Sequence, residues 1–196
     1  APADATFVSV RSDVPAATAA AGLARSALTS ETRAVLAHSY LAIPAVLAVR
    51  EIPSVRMVLV EPALYDIARG SREVDAHIAT VERARARLSA GDLWAYWSII
   101  RPLMFGGAAE EKAWEDERPV AAEFARRTLP WGHGLRAENV AADRALVITG
   151  GWNEEYEVIA ALLAAAGATH VVLSGHGHRA QDHPRFAETV AAFLDH

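Results

Sequence analysis

The stretch from Arg33 to Pro44, Arg-Ala-Val-Leu-Ala-His-Ser-Tyr-Leu-Ala-Ile-Pro, constrains the fold of this chain more than any other. Its apolar residues predict a short buried strand over residues 33–38, a sharp turn at Ser39 and a helix over residues 41–51. A strand that enters a helix through a tight turn raises the turn residue above the sheet edge. The Ser39 hydroxyl is then presented beside a helix N-terminus, which favours developing negative charge. A serine that only caps a core helix gives the same local pattern.

Strand and helix patterns alternate on both sides of this stretch. Connections of this length join parallel strands through right-handed crossovers, and the nearly all-apolar run 55–60 suits a parallel strand covered on both faces. We therefore predict an α/β fold, with a mostly parallel sheet covered by helices on both faces. The predicted strands span residues 5–10, 33–38, 55–60, 145–149 and 169–174, and the helices between them span 16–28, 41–51, 156–166 and 186–194.

The middle of the chain has no strand character. Helical patterns cover residues 70–88, 93 to just before Phe105, and 108–128. This predicts a helical lid, residues 66–139, inserted into an α/β core of residues 1–65 and 140–196. The aromatic residues Trp94, Tyr96 and Trp97 either line a pocket for an acyl or aryl group or form the lid's own core.

A histidine-rich loop follows the last predicted strand. It reads Gly175-His176-Gly177-His178 and continues to His183 before the final helix. Zinc bound by His176, His178 and His183 is one interpretation of the spacing. We disfavour it because the chain has no cysteine and no acidic ligand is placed with these histidines.

Together these segments resemble the α/β-hydrolase superfamily, as a capped serine hydrolase that is short at its N-terminus. The serine turn resembles the G-x-S-x-G nucleophile elbow, with Ala37 and Leu41 at the two glycine positions, and the loop at His178 resembles the superfamily's G-x-G-H form. The resemblance implies the chain order nucleophile, acid, histidine. It makes Ser39 the nucleophile and His178 the general base, and it implies that the backbone amide of Tyr40 is one donor of the oxyanion hole.

The acid of this triad has several candidates. The superfamily commonly places an aspartate three residues beyond the glycine that ends the strand before the histidine strand. That position is Asn153 when counted from the first glycine of Gly150-Gly151, or Glu154 when counted from the second. Glu61 ends the strand after the elbow, the alternative acid position. We favour Glu61, with Glu154 as the alternative and Asp66 as a weaker candidate.

The resemblance implies a hydrolase that cleaves a carboxylic ester, thioester or amide through an acyl-enzyme, with a small-molecule ester as substrate and no cofactor. An alternative is a non-catalytic or fragmentary α/β-hydrolase-like scaffold with a binding role. A lyase or a carbon–carbon hydrolase with the same triad is a third interpretation, because a fold does not fix the reaction.

The second oxyanion donor has no obvious source in the sequence. The His-Gly motif that often supplies it does not precede Ser39. Either the turn at residues 10–12 donates, or N-terminal strands of the superfamily are missing. Missing strands would leave an open sheet edge, which favours a homodimer or a partner chain that covers it.

Composition excludes other classes of function. The formal net charge is -5 and no basic stripe runs through the chain, which argues against nucleic acid as a partner. No apolar run approaches the roughly 20 residues that span a bilayer. We expect a cytoplasmic protein, with secretion as the alternative.

Overall fold

The computed structural model describes residues 17–195 of the chain. Its sheet has four strands in the order β1-β2-β3-β4, and each neighbouring pair is parallel. The chain is therefore an α/β protein with a parallel sheet, as the alternating pattern predicts. The strands are β1 Ala34–His38, β2 Arg56–Val60, β3 Ala145–Thr149 and β4 Thr169–Val172. The predicted strand at residues 5–10 lies outside the described residues.

The helices lie close to the predicted positions, with two differences at their ends. The fourth helix, α4 Leu93–Phe105, continues through Phe105, so the prediction that it ends earlier is wrong. Gly106 ends it in the left-handed region, with φ 67°, a conformation that terminates helices readily. α5 begins only at Trp114, after a short 3-10 turn, Glu111–Ala113. The helices are α1 Ala17–Ser26, α2 Ala42–Val49, α3 Arg72–Ser89, α4 Leu93–Phe105, α5 Trp114–Arg126, α6 Glu154–Ala165 and α7 Phe186–Leu194.

The chain divides into two compact units. The first comprises Ala1–Arg69 and Leu129–His196 and contains the sheet, and the second is Gly70–Thr128, with α3, α4 and α5. Within the second unit, the ring of Trp97 lies 5.9 Å from that of Phe124, and Trp97 is buried. Trp97 thus packs against an aromatic neighbour of its own unit.

Both faces of the two central strands are buried. One face carries Val58 and Val60 from β2 and Leu146 and Ile148 from β3. Against this face pack three side chains of α7, namely Phe186, Val190 and Phe193. Side chains alternate along a strand, so Met57, Leu59 and Val147 point to the opposite face, where they too are fully buried.

Parallel strands bring their carboxyl ends to one edge of the sheet. In this chain Ser39, Glu61 and Gly150 directly follow β1, β2 and β3. This edge is the usual place for ligands in open α/β sheets. Within residues 17–195, β1 and β4 are the outer strands, and no helix in that range is long and apolar enough to cross a membrane.

Candidate functional site

Ser39 occupies a strained turn between β1 and α2. Its φ is 55°, in the left-handed region that costs an L-residue about 1–2 kcal/mol. The carbonyl oxygen of Ser39 accepts a hydrogen bond from the amide of Ala63, at 3.2 Å. The turn is thereby joined to the segment that follows β2. Backbone strain at a residue whose side chain can react marks a candidate functional position.

Leu41 stands where the elbow pattern has its second glycine. It ends the short 3-10 turn Ser39–Leu41 that leads into α2, and 36% of it is exposed. Because the leucine side chain is partly exposed to solvent, it does not have to fit between closely packed backbone segments. The departure from glycine is therefore tolerated here. Tyr40, which the resemblance implies is an oxyanion donor, directly follows Ser39 in the same turn.

Glu61 directly follows β2 and is fully buried. It also has a left-handed backbone, with φ 46°. Its carboxylate accepts hydrogen bonds from the backbone amide of Gly150 and from the indole N–H of Trp152, the latter at 3.2 Å. Burial of a carboxylate is costly unless its oxygens are paired, and these two donors hold the group in place.

His178 lies opposite this carboxylate. Its Nδ1 is 3.8 Å from Oε2 of Glu61. The same Nδ1 atom is buried and has no hydrogen-bond partner among residues 17–195. A small approach of the ring would form an Nδ1–H···Oε2 hydrogen bond, the contact by which a carboxylate orients a catalytic histidine.

His38, the last residue of β1, contacts the histidine loop. Its Nε2 lies 2.8 Å from the carbonyl oxygen of His178. A carbonyl only accepts hydrogen bonds, so Nε2 of His38 carries the hydrogen. The two imidazole rings also touch, with centroids 4.5 Å apart. Burial, which outweighs the other influences, lowers the pKa of His38, so the ring is neutral at neutral pH.

Gly150 allows the strand ends to come together. A Cβ at this position would overlap the carbonyl oxygen of Gly177 and press on Oε1 of Glu61. Only glycine lets the histidine loop pass so close to the end of β3. The close approach of the histidine loop to Glu61 therefore depends on the lack of a side chain at Gly150.

Two buried tyrosines, Tyr65 and Tyr156, lie near these residues. The side chain of Ser39 is near enough to Tyr156, on α6, to influence its pKa. The Tyr65 hydroxyl donates to Oε2 of Glu155, at 2.6 Å. Burial raises the pKa of both phenols. The ring of Tyr156 also packs against that of His178, with centroids 5.2 Å apart.

The other candidates for the acid make contacts with groups other than His178, or are exposed. Asn153 caps α6, because its side chain accepts a hydrogen bond from the amide of Glu155 at 2.8 Å. Glu154 is exposed in the first turn of that helix. Asp66 accepts from the amides of Gly132 and His133, at 2.7 and 2.6 Å. Of the sequence-derived candidates, Glu61 is the carboxylate that lies beside His178.

Residues 17–195 contain no group of three or more histidine, cysteine, aspartate or glutamate side chains that could hold a metal ion. The rings of His176 and His183 lie 5.6 Å apart. The ring of His178 packs instead against His38 and Tyr156. The three loop histidines are thus divided between two clusters.

Sequence reasoning missed His38, Tyr65 and Tyr156. His38 is the last residue of β1, Tyr65 lies in the segment after β2, and Tyr156 is on the first turn of α6, the helix after β3. This position is a signal that could have been used, because it marks the ligand-binding edge of a parallel sheet. The residue types themselves carry no such signal, since histidine and tyrosine are common in partly buried positions.

Comparison with protein-family models, with curated proteins and with solved structures finds no match for this chain. Its function is therefore inferred from the geometry of its own residues.

Proposed function

We propose that this protein is a serine hydrolase of the α/β-hydrolase type, which cleaves a carboxylic ester, thioester or amide through an acyl-enzyme on Ser39. The single observation that carries the proposal is the close approach of the Glu61 carboxylate to His178. A fully buried carboxylate faces an otherwise unpartnered Nδ1 atom at 3.8 Å. A buried carboxylate contributes little net stability to a fold. Beside a histidine, however, it can orient the imidazole ring and stabilise its protonated form, as catalysis requires.

The proposed roles follow from the chemistry of each group. Ser39 attacks the substrate carbonyl carbon while His178 accepts its hydrogen, and the carbonyl electron pair moves onto oxygen. Glu61 stabilises the resulting imidazolium and holds the ring in one tautomer. The amide of Tyr40 donates to the oxyanion. His178 then returns the proton to the leaving group, and water hydrolyses the acyl-enzyme by the same steps.

The topology supports the finer fold assignment. The strand that ends at the serine, the strand that ends at the acid and the strand that precedes the histidine are β1, β2 and β4 of one parallel sheet, in chain order. In this proposal the helical unit Gly70–Thr128 is the inserted lid, and the substrate is a small-molecule ester.

The alternative, a non-catalytic scaffold of the same fold, has one observation in its favour. The side chain of Ser39 lies close enough to Tyr156 to influence its pKa, so His178 is not the only polar side chain beside it. A binding protein could keep this contact without ever activating the serine.

Labelling with a fluorophosphonate probe, followed by mass spectrometry of the labelled peptide, tests the proposal. We expect stoichiometric modification of Ser39 in the wild type and none in Ser39→Ala. Ser174→Ala is the matched control, because Ser174 is an exposed serine that follows β4 at the same sheet edge. That variant should label like the wild type. Folded wild-type protein that resists the probe would favour the non-catalytic scaffold.

A further inference from the structure

A cavity of about 620 Å³ reaches the amino ends of three strands of the sheet. Arg56 is the first residue of β2, Arg144 directly precedes β3 and Thr169 is the first residue of β4, and all three line the cavity. The proposed catalytic groups lie instead beyond the carboxyl ends of the strands. Glu61, for example, is about 16 Å from Arg56 along an extended strand. The cavity belongs entirely to the first compact unit, and no residue of the proposed triad lines it.

One face of α7 forms a wall of this cavity. The residues at positions 188, 189, 192 and 193 line it, and residues three and four apart lie on the same side of a helix. Leu146 and Val171 of the sheet line it as well, and together with the ring of Phe193 they give the cavity an apolar surface. Its volume is in the range of small-molecule sites, roughly 300–1,000 Å³.

Arg56 brings a positive charge to the cavity. Its Nη1 donates a hydrogen bond to the carbonyl oxygen of Phe193, at 2.6 Å, and its guanidinium carbon lies 5.5 Å from the centre of the Phe193 ring. That carbonyl is among those that a helix leaves unpaired at its C-terminus, so this bond caps α7 and fixes the guanidinium. Among residues 17–195, the Nε and Nη2 atoms of Arg56 donate to no group.

These two atoms form the side of a guanidinium that matches a carboxylate. Their N–H bonds are nearly parallel, so they can donate to both oxygens of one carboxylate at once. The chain itself contains an example, because Nε and Nη2 of Arg179 donate to the two oxygens of Asp182. Arg56 presents the same pair of donors without an acid to bind them.

Arg144 adds a second positive charge that has no acidic partner. Its guanidinium donates to the backbone carbonyls of Arg50, Ile52 and Val55, at 2.6–3.1 Å. These acceptors are neutral, so they satisfy the donors without balancing the charge. Both Arg56 and Arg144 are half-buried, where a charge is costly unless it is paired.

The two carboxylates that line the cavity do not neutralise these arginines. Glu188 pairs with Arg185, another lining residue, at 4.0 Å, and both side chains are exposed. Asp143 is exposed and makes no ion pair within the described part of the chain. The cavity therefore combines an apolar surface with unbalanced positive charge.

We propose that this cavity binds a small amphipathic carboxylate. The head group pairs with Nε and Nη2 of Arg56, close to the charge of Arg144, and the apolar chain or ring lies along Leu146, Val171 and Phe193. This binding site is separate from the proposed catalytic site, and the inference does not depend on the hydrolase proposal.

Isothermal titration calorimetry with octanoate tests the ligand class. We expect saturable binding to the wild-type protein. Octanamide keeps the chain without the charge, and acetate keeps the charge without the chain, so each should bind more weakly by about tenfold or more. The inference would be overturned if octanoate did not bind, or if either comparison compound bound as tightly as octanoate.

A pair of neighbouring alanines on α7 tests the location. Ala192 lines the cavity and Ala191 does not, and both are exposed. We expect the indole in Ala192→Trp to fill the cavity and abolish octanoate binding, while Ala191→Trp binds like the wild type. Equal affinities in the two variants would show that octanoate binds elsewhere and would overturn the inference.

Arg56→Gln tests the head-group contact. Glutamine can still donate an N–H to the carbonyl of Phe193, but it loses the charge and the paired donors. We expect octanoate to bind about tenfold more weakly or worse, with circular dichroism showing that the variant is folded. Wild-type affinity in this variant would overturn the role of Arg56. Octanoate binding by a protein whose Ser39 resists a fluorophosphonate would support this site and not the hydrolase proposal.

Discussion

The carboxylate of Glu61 lies 3.8 Å from Nδ1 of His178, although the strand β3 separates the two strands whose carboxyl ends precede them. The contact passes over the end of β3, at Gly150. There the amide of Gly150 donates to Glu61, and the missing side chain leaves room for the histidine loop. The acid, the glycine and the histidine therefore form one arrangement across three adjacent strands.

Substitution of Glu61 distinguishes it from the alternative acid. We expect Glu61→Gln to lower kcat for an activated ester by on the order of 10³- to 10⁴-fold, the size of effect known for a neutralised triad acid. The amide cannot stabilise an imidazolium. Glu154→Gln, which changes an exposed carboxylate of α6 in the same way, should keep wild-type kcat. Steady-state kinetics on the two purified variants give both kcat values. A lower kcat in Glu154→Gln alone would show that Glu154, not Glu61, is the acid of the triad.

The backbone strain at Ser39 has a consequence for stability. Ser39→Gly and Ser39→Ala both remove the hydroxyl, but only glycine adopts φ 55° without a steric cost. We expect the glycine variant to have a free energy of unfolding higher than the alanine variant by about 1 kcal/mol. Urea denaturation followed by circular dichroism measures this difference. Equal stability of the two variants would mean that the turn relaxes to an ordinary conformation in solution.

His38 should make folding stability depend on pH. Burial lowers its pKa in the folded protein, so below about pH 6.5, the ordinary value, the unfolded chain binds a proton that the folded chain refuses. Stability therefore falls as the pH is lowered through that region.

His38→Gln removes this dependence, because glutamine still offers an N–H to the carbonyl of His178 and does not titrate. We expect the free energy of unfolding of His38→Gln to decline less than that of the wild type between about pH 7 and about pH 5. Urea denaturation at a series of pH values gives both curves. Parallel curves would show that His38 takes up its proton equally well in the folded state.

Gly150 should tolerate no side chain. Gly150→Ala places a Cβ against the carbonyl of Gly177 and the carboxylate of Glu61, so we expect a loss of about 1–3 kcal/mol in the free energy of unfolding, as for other overpacked sites. Reaction of Ser39 with a fluorophosphonate should slow as well. Gly22→Ala is the control, because a Cβ in that exposed position on α1 meets nothing within 4 Å.

In the control, alanine should raise stability by up to about 1 kcal/mol through its higher helix propensity. Thermal or urea denaturation compares the two variants. A Gly150→Ala protein as stable as the wild type would show that the histidine loop can move away from β3 at little cost.

Within residues 17–195, local patterns were enough to predict the four strands and most helices. Runs such as residues 55–60 and 145–149 are nearly all apolar, as expected for short parallel strands covered on both faces. The pair Gly106-Gly107 predicts a break that already includes Phe105, whereas α4 continues through Phe105. Helix ends depend on one or two backbone angles, and sequence patterns define them poorly.

The sequence by itself determined the alternation of strand and helix, the turn at Ser39 and the loop that carries His178, since each depends on residues close together in the chain. Only the tertiary structure decided that Glu61 rather than Glu154 lies beside His178, that Gly150 makes this approach possible, and that His38 is hydrogen-bonded to the carbonyl of His178. Those contacts join residues about a hundred positions apart in sequence, and the register and spacing of parallel strands bring them together. The local pattern of apolar and polar residues does not indicate which side chains come into contact at the carboxyl ends of the parallel strands.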